Sequence, residues 1–275
     1  MYPGFNFSQS VVWITGASSG IGEAFAQHIA RKDGKLVLSA RSKDELQRVA
    51  QICRDAGAPD VMVLPLDVAV HDGMEAAASE VLERFGQVDL LINNAGVSQR
   101  SYCVDTDFSV YRQMIDVNVL GQIALTQAVL PAMIARGSGH IAVTASVAGK
   151  VGVPGRTGYC ATKHAVMGFF DSLRTEVTSD GIEVTTITPG FIRTNVAENA
   201  LDGSGQATGV TDANIAGGMD VDECVERIIA GFESGEPEIA VGGELEMMAL
   251  QLKRDDPIAA FQALEQLGRE AREGG

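Results

Sequence analysis

Basic residues are scarce in this sequence: 21 Lys and Arg stand against 36 Asp and Glu, a formal net charge of −15. Nucleic-acid-binding chains normally carry a basic face, so that class is set aside. The deficit is uneven, with 17 acids and 6 basic residues from Phe191 onward, which reads as a solvated acidic surface that aids solubility. Cysteine is rare as well. Cys53, Cys103, Cys160 and Cys224 are scattered, with no CxxC pair and no clustered histidines, so neither a disulfide framework nor a metal site is expected. No uninterrupted apolar run approaches the ~18 residues of a membrane span. Residues 1–10 lack the basic and apolar regions of a secretion signal. These absences lead us to expect a cytoplasmic protein with no membrane span.

Glycine, by contrast, is plentiful, with 31 in 275 residues, and its placement matters most near the start. The apolar run Val11–Ile14 leads through Thr15 into Gly16, Ser18, Ser19, Gly20, Ile21 and Gly22. A helical pattern follows through Ala24, Phe25 and Ile29. This is the signature of a buried strand, a glycine-dependent turn and a helix N-terminus, whose unpaired N–H groups and positive dipole end suit an anion such as a pyrophosphate. Taken alone it says only that an anion could sit there; the alternative is a glycine-rich turn with no ligand.

Strand and helix signals then alternate along the chain. Apolar strands are expected at 35–40, 61–66, 88–93, 140–144, 183–188 and 238–241. Pro65 must sit where the ladder needs no donor. Helices are expected at 43–56, 71–85, 108–136, 159–179 and 222–234, with a kink or boundary at Pro131. Such alternation specifies an α/β fold, a doubly wound parallel sheet of about seven strands covered on both faces. Its ligand crevice lies at the carboxyl ends of the strands, where strand order reverses. No repeat or linker divides residues 1–275, so one domain is expected. Residues 196–218, rich in Gly, Asn and Ser, read as a substrate lid that orders on binding. Residues 246–275 form a polar, acidic helical tail to which no function is assigned.

The spacing Tyr159-x-x-x-Lys163 puts a phenol and an ammonium on one helix face. A nearby positive charge favours the phenolate and draws the tyrosine pKa down from about 10, toward general acid–base work near neutral pH. Ser146, just after the 140–144 strand, places a hydroxyl at a strand's carboxyl end, facing the same crevice.

The Thr15–Gly22 motif, Asn93-Asn94-Ala95-Gly96, Asn118, Ser146, Tyr159-x-x-x-Lys163 and Pro189-Gly190 occur together and in this order. Together they resemble the classical short-chain dehydrogenase/reductase family, over roughly residues 9–245. The resemblance implies a Rossmann fold and an oxidoreductase acting on a carbonyl or secondary alcohol. It further implies that Tyr159 is the general acid in reduction and the base in the reverse direction. Lys163 would lower the Tyr159 pKa and hold the nicotinamide ribose. Ser146 would polarise the substrate oxygen, and Asn118 would hold a water of the proton relay. Asn94, Ala95 and Gly96 would line the cofactor site, and Asp67 and Val68 the adenine. Pro189, Gly190, Ile192 and Thr194 would close over the nicotinamide carboxamide.

At the end of the second strand, where NAD-binding members carry an acid, the chain reads Ser39-Ala40-Arg41-Ser42. Arg41 and Ser42 suit a 2′-phosphate through planar, charge-assisted recognition, which favours NADP(H) over NAD(H). The stretches LVLSARSKDEL, RTGYCATKHAVMGFFDSLRTEV and PGFIRTNVAENALDGSG are similar to the branch containing 11β-hydroxysteroid dehydrogenase. That branch's hydrophobic N-terminal anchor is not seen here, and Ala145 replaces a second serine found in many relatives. Val147, Val151 and Val153 offer an apolar wall, so a hydrophobic small molecule is expected as substrate. Two alternatives stay open: a catalytically silent NADP(H)-binding regulator, and a 3-oxoacyl thioester reductase docking its carrier on Arg100, Lys150, Arg156 and Arg193. Family analogy implies a homodimer or homotetramer through the helices at 108–136 and 159–179, with Phe169, Phe170 and Leu173 serving an interface or the core.

Overall fold

Seven strands form one parallel sheet: β1 (Val11–Thr15), β2 (Lys35–Ser39), β3 (Val61–Val63), β4 (Leu90–Asn93), β5 (Gly139–Thr144), β6 (Ile182–Pro189) and β7 (Glu238–Val241). Their order is β3-β2-β1-β4-β5-β6-β7. The computed structural model describes residues 3–196, 198–210 and 213–273. Residues 197, 211 and 212 of the expected lid, and 274–275 of the expected tail, lie outside the described residues. The strand order reverses between β1 and β4, which opens the crevice at their carboxyl ends. Register fixes that edge: Ile14 pairs with Leu38 on one side and Ile92 on the other.

Alternate side chains of each strand leave opposite faces, and both faces are apolar because helices cover both. Val12, Ile14, Leu36, Leu38 and Ile92 pack on one face with Phe25, Ile29, Val225 and Ile228. These come from α1 (Gly20–Ala30) and α8 (Val221–Ser234), with α2 (Lys43–Asp55) alongside. Val11, Trp13, Val37, Leu91, Ile141 and Val143 pack on the other face with Val81, Leu125 and Phe170. Those belong to α3 (Met74–Phe85), α5 (Gly121–Arg136) and α6 (Thr157–Val177). Each such side chain contributes about 1.5–3 kcal/mol on burial.

The strand expected at 61–66 pairs as a ladder only over Val61–Val63. Leu64 and Leu66 still donate to Leu38 and Ala40 carbonyls, so Pro65 falls where no donor is required. The expected 108–136 helix is α4 (Phe108–Ile115), a π-helical turn over Asp116–Leu120, and α5. Pro131 stays within α5 and does not end it. By length and composition this one stretch is apolar enough to cross a membrane, and close to half of its most apolar part is buried. Polar residues such as Arg112, Gln113, Asp116, Asn118 and Gln122 interrupt it, so it holds no long unbroken apolar run. The tail folds as α9 (Glu244–Asp255) and α10 (Pro257–Glu273), after the short α7 (Ala213–Ala216). The break falls where Pro257 opens a new helix and Asp256 Oδ1 accepts from Ala259 N at 3.0 Å.

Candidate active site

The glycine turn closes against the loop that follows β4. Gly16 is left-handed (φ +66°), and a Cβ there would stand 2.9 Å from Ala95 Cα. A Cβ on Gly22 would lie 2.2 Å from the Gly16 carbonyl, so the helix cannot approach the strand with a larger residue. Ser19 begins α1 in an extended conformation without a side-chain cap bond. The first-turn N–H groups therefore keep their capacity for an anion at the helix's positive end. Ser18, Gly20 and Ile21 complete the turn, and Ile21 packs on the core. Thr194 lies 3.4 Å from where a Gly20 Cβ would be, which brings the segment after β6 over the turn.

Thr15 ties this turn to its neighbour. Its buried hydroxyl accepts Asn94 N and Ala95 N, each at 3.0 Å, while Asn94 Nδ2 donates to the Thr15 carbonyl at 3.0 Å. Gln122 Nε2 holds the Ala95 carbonyl at 3.1 Å. Thr15 closes a continuous apolar strand and Gln122 lies inside a helix with no motif, so sequence does not mark either as a positioning residue. Arg41 is exposed just past β2. Ser42 caps α2 by accepting Glu45 N, which leaves its own proton to donate. Asp67 turns the chain after β3 by accepting Ala69 N at 3.0 Å, and Val68 is buried beside it.

On the catalytic side the expected residues converge. Ser146 is buried, accepts Ala148 N at 3.1 Å and donates to the Pro189 carbonyl at 3.3 Å. Its hydroxyl also acts on the Tyr159 phenol, favouring the phenolate. Lys163 is 3% exposed, donates to the Thr144 carbonyl at 2.7 Å and stands 5.6 Å from the Tyr159 ring centre. Gly96 fits beneath this group: a Cβ there would meet Asn118 Oδ1 at 3.3 Å and Lys163 Nζ at 3.6 Å. Asn118, on the π-helical turn, is a brace. Its amide donates to the Val97 carbonyl at 2.9 Å and Thr162 Oγ1 at 3.0 Å, and its oxygen accepts Val97 N at 2.8 Å. Gly190 N donates to the Val241 carbonyl at 2.7 Å, and Ile192 is buried.

One electrostatic expectation is corrected. Burial pushes the Tyr159 phenol above its ordinary pKa, and Ser146 and Arg156 oppose that rise without cancelling it. Burial also pulls Lys163 down to about 8, because the ammonium loses hydration within the fold. Spacing alone showed the shared helix face but not the desolvation both groups undergo on it.

Other expectations change as well. The proposed basic patch is largely spent: Lys150 pairs with Glu238, Arg193 pairs with Asp220 at 2.8 Å, and Arg156 is buried on Ser98. Phe170 and Leu173 are core residues, with Phe169 packed against the same core. Part of the expected lid is already anchored: Leu201 is buried and bonds Ser98 and Arg100, and Gly203 accepts Asp107 N. Of the expected apolar wall, Val147 and Val151 are buried and Val153 is half-buried. The tail reaches the crevice, since Glu246 Oε1 accepts Phe191 N at 2.8 Å and Arg272 stacks 5.0 Å from the Tyr102 ring. All four cysteines are free, and burial pushes the thiols of Cys53 and Cys224 up to about 12.

Comparison with known proteins agrees with this geometry. The short chain dehydrogenase family matches residues 10–204. Human dehydrogenase/reductase SDR family member 7 is 40% identical over 97% of this chain and 80% of its own length. A Drosophila melanogaster dehydrogenase/reductase SDR family protein 7-like is 42% identical over 91% of this chain and 78% of its own. Among solved structures, a Burkholderia phymatum short chain dehydrogenase/reductase in complex with NAD superposes with a TM-score of 0.82 at 27% identity, covering 92% of this chain and 95% of that one. A Thermococcus sibiricus alcohol dehydrogenase complexed with 5-hydroxy-NADP gives 0.74 at 28% identity, over 86% and 97%. With a doubly wound sheet reversing at β1 and β4, and Ser146, Tyr159 and Lys163 gathered beside it, this chain belongs to the short-chain dehydrogenase/reductase family.

Proposed function

We propose that this chain transfers a hydride between NADP(H) and the carbonyl or secondary alcohol of a hydrophobic small molecule. The observation that carries the reading is the convergence of Ser146, Tyr159 and Lys163 on one side of a crevice whose other side is an anion-ready helix N-terminus. Gly16 to Gly22 would hold the pyrophosphate, Arg41 and Ser42 the 2′-phosphate, and Asp67 and Val68 the adenine. Asn94, Ala95 and Gly96 would line the site; Pro189, Gly190, Ile192 and Thr194 would hold the carboxamide. The solved relatives include complexes with NAD and with 5-hydroxy-NADP, so the choice of NADP(H) rests on Arg41.

Bound NADP(H) supplies the hydride in reduction and takes it in oxidation. Tyr159 donates its proton to the substrate oxygen, and Ser146 steadies that oxygen as charge develops. Lys163 would hold the ribose of the bound cofactor, and it carries positive charge beside the phenol. Asn118 keeps the loop after β4 against α6, the place where a relay water would enter. Because burial holds the phenol above its usual pKa, reduction runs through neutral pH, while oxidation gains as pH rises and the phenolate forms. The exposed Phe108 and Ile115 on α4, Leu120 on the π-helical turn and Ile134 on α5 support assembly as a homodimer or homotetramer through this stretch. The unpaired cysteines support a reducing, cytoplasmic setting. The carrier-docking reading loses support because Lys150, Arg156 and Arg193 are engaged internally.

The test is a panel of ketones and secondary alcohols, followed by NADPH absorbance. At least one hydrophobic ketone should be reduced, and Tyr159→Phe should lose roughly a thousandfold in kcat while still binding NADPH. Uniform inactivity with NADPH bound would overturn the reading in favour of a silent regulator.

A further inference from the structure

The catalytic helix starts without a cap of its own. Arg156 occupies the N-cap position of α6 and makes no side-chain bond to the first turn. The first intrahelical bond runs from Cys160 N to the Arg156 carbonyl, so the N–H of Gly158 needs a partner from elsewhere. Gln99 provides it: its Oε1 accepts Gly158 N at 2.7 Å, one residue before Tyr159. The Gln99 side chain is fully buried. Its amide nitrogen is fixed by the Ser101 carbonyl at 3.3 Å, and by Ser101 Oγ and Thr106 Oγ1, each at 3.1 Å. The approach is close, since a Cβ on Gly158 would stand 2.8 Å from Gln99 Oε1 and 3.1 Å from Met114 Sδ.

The backbone around Gln99 carries the loop expected to meet substrate. Leu201 N donates to the Ser98 carbonyl at 2.9 Å, and Arg100 N donates to the Leu201 carbonyl at 2.8 Å. Arg156 returns the connection from the helix, donating to Ser98 Oγ at 3.2 Å. Ser101 N donates to the Gly155 carbonyl at 3.0 Å, just before the same helix.

We infer that Gln99 is a positioning residue for Tyr159, a cap supplied from a distant segment that fixes the first turn of α6 against the backbone holding residues 200–203. The inference rests on the reductase reading above, because only there does the placement of Tyr159 set a rate. An acceptor at Gly158 N faces the helix's positive end, so a carboxylate at position 99 keeps that acceptor while losing the donor to the Ser101 carbonyl, whereas Leu removes the acceptor itself. A displacement of about 1 Å at a reacting group is worth roughly a hundredfold in rate.

The experiment compares wild type with Gln99→Leu and Gln99→Glu, using NADPH and whichever ketone in the panel is reduced fastest. Gln99→Leu should lower kcat roughly ten- to hundredfold with the Kd for NADPH unchanged. It should also speed amide exchange at 157–160 and 200–203 while the sheet stays protected. Gln99→Glu should keep Gly158 N protected and stay closer to wild type in kcat. Unchanged kcat and local exchange in Gln99→Leu would overturn the assignment, as would a kcat loss matched by lost NADPH binding and global melting. If wild type reduces nothing in the panel, the reductase reading has failed on its own, and the positioning role for a reaction falls with it. Exchange at 157–160 then reports only whether the cap exists.

Discussion

His140 and Lys163 are buried at opposite ends of the same sheet, and the fold treats these two bases differently. Lys163 lies at the carboxyl end, bonded to the Thr144 carbonyl, and burial lowers it to about 8. It therefore keeps its charge at neutral pH. His140 lies at the amino end of β5, between Phe5 and Phe232, and burial lowers it to about 4. It is neutral under the same conditions. Thr185 Oγ1 donates to the Glu236 carbonyl at 3.3 Å, so His140 Nε2 donates to Thr185 at 2.8 Å, which assigns the tautomer. Glu183 sits 4.0 Å from Nδ1, and burial raises its pKa, so both partners move toward neutral forms and no ion pair stabilises them. The carboxyl end bears the cost of a buried charge beside Tyr159, and the amino end avoids one.

This contrast predicts that changes at the carboxyl end alter function with little effect on melting, and that changes at the amino end do the reverse. The largest effect is expected for Arg41→Asp. Losing two charge-assisted bonds of ~1.5 kcal/mol each should shift the NADPH/NADH preference in kcat/KM by roughly a hundredfold toward NADH. An unchanged preference would remove the support for NADP(H). Next comes the amino end. A histidine whose folded pKa is about 4, against ~6.5 unfolded, leaves the unfolded chain binding more protons, so stability falls as pH drops through that window and reaches its full loss below it. His140→Gln should remove up to about 3 kcal/mol of this acid sensitivity, read from urea midpoints at neutral and acid pH, with kcat unaffected. A wild-type stability that stayed flat across the window would break the comparison.

The smallest effect is set for Thr15→Val, which joins the two behaviours. It leaves Asn94 N and Ala95 N without their acceptor and should cost about 2 kcal/mol in stability, measured by chemical denaturation. It should also weaken NADPH binding, because the loop after β4 lines the crevice. Loss of stability alone would make Thr15 an ordinary core residue.

Much of the site was legible in one dimension because its parts are local. Gly16, Gly20 and Gly22 announce a turn that larger side chains cannot make, and Tyr159 and Lys163 share a helix face at a spacing of four. The charge state of Tyr159 was not legible, since desolvation depends on what packs over the phenol. Neither was the fate of Arg156, which reads as a loop cation and is buried on Ser98. Lys150 and Arg193 were lost from the expected patch to Glu238 and Asp220, acids far along the chain. The tail carried no motif, and only folding brought Glu246 to Phe191 N.

By itself the sequence determined the strand–helix alternation, the glycine turn at the head of α1 and the motif residues through which the chain resembles its family. These follow from periodicity and backbone sterics, which act over a few residues. Tertiary structure decided the burial that raises Tyr159 and lowers Lys163, and the brace of Asn118 on Val97 and Thr162. It also decided the cap that Gln99 places on Gly158. Those effects need groups brought together from distant parts of the chain and stripped of water, and no local pattern encodes them.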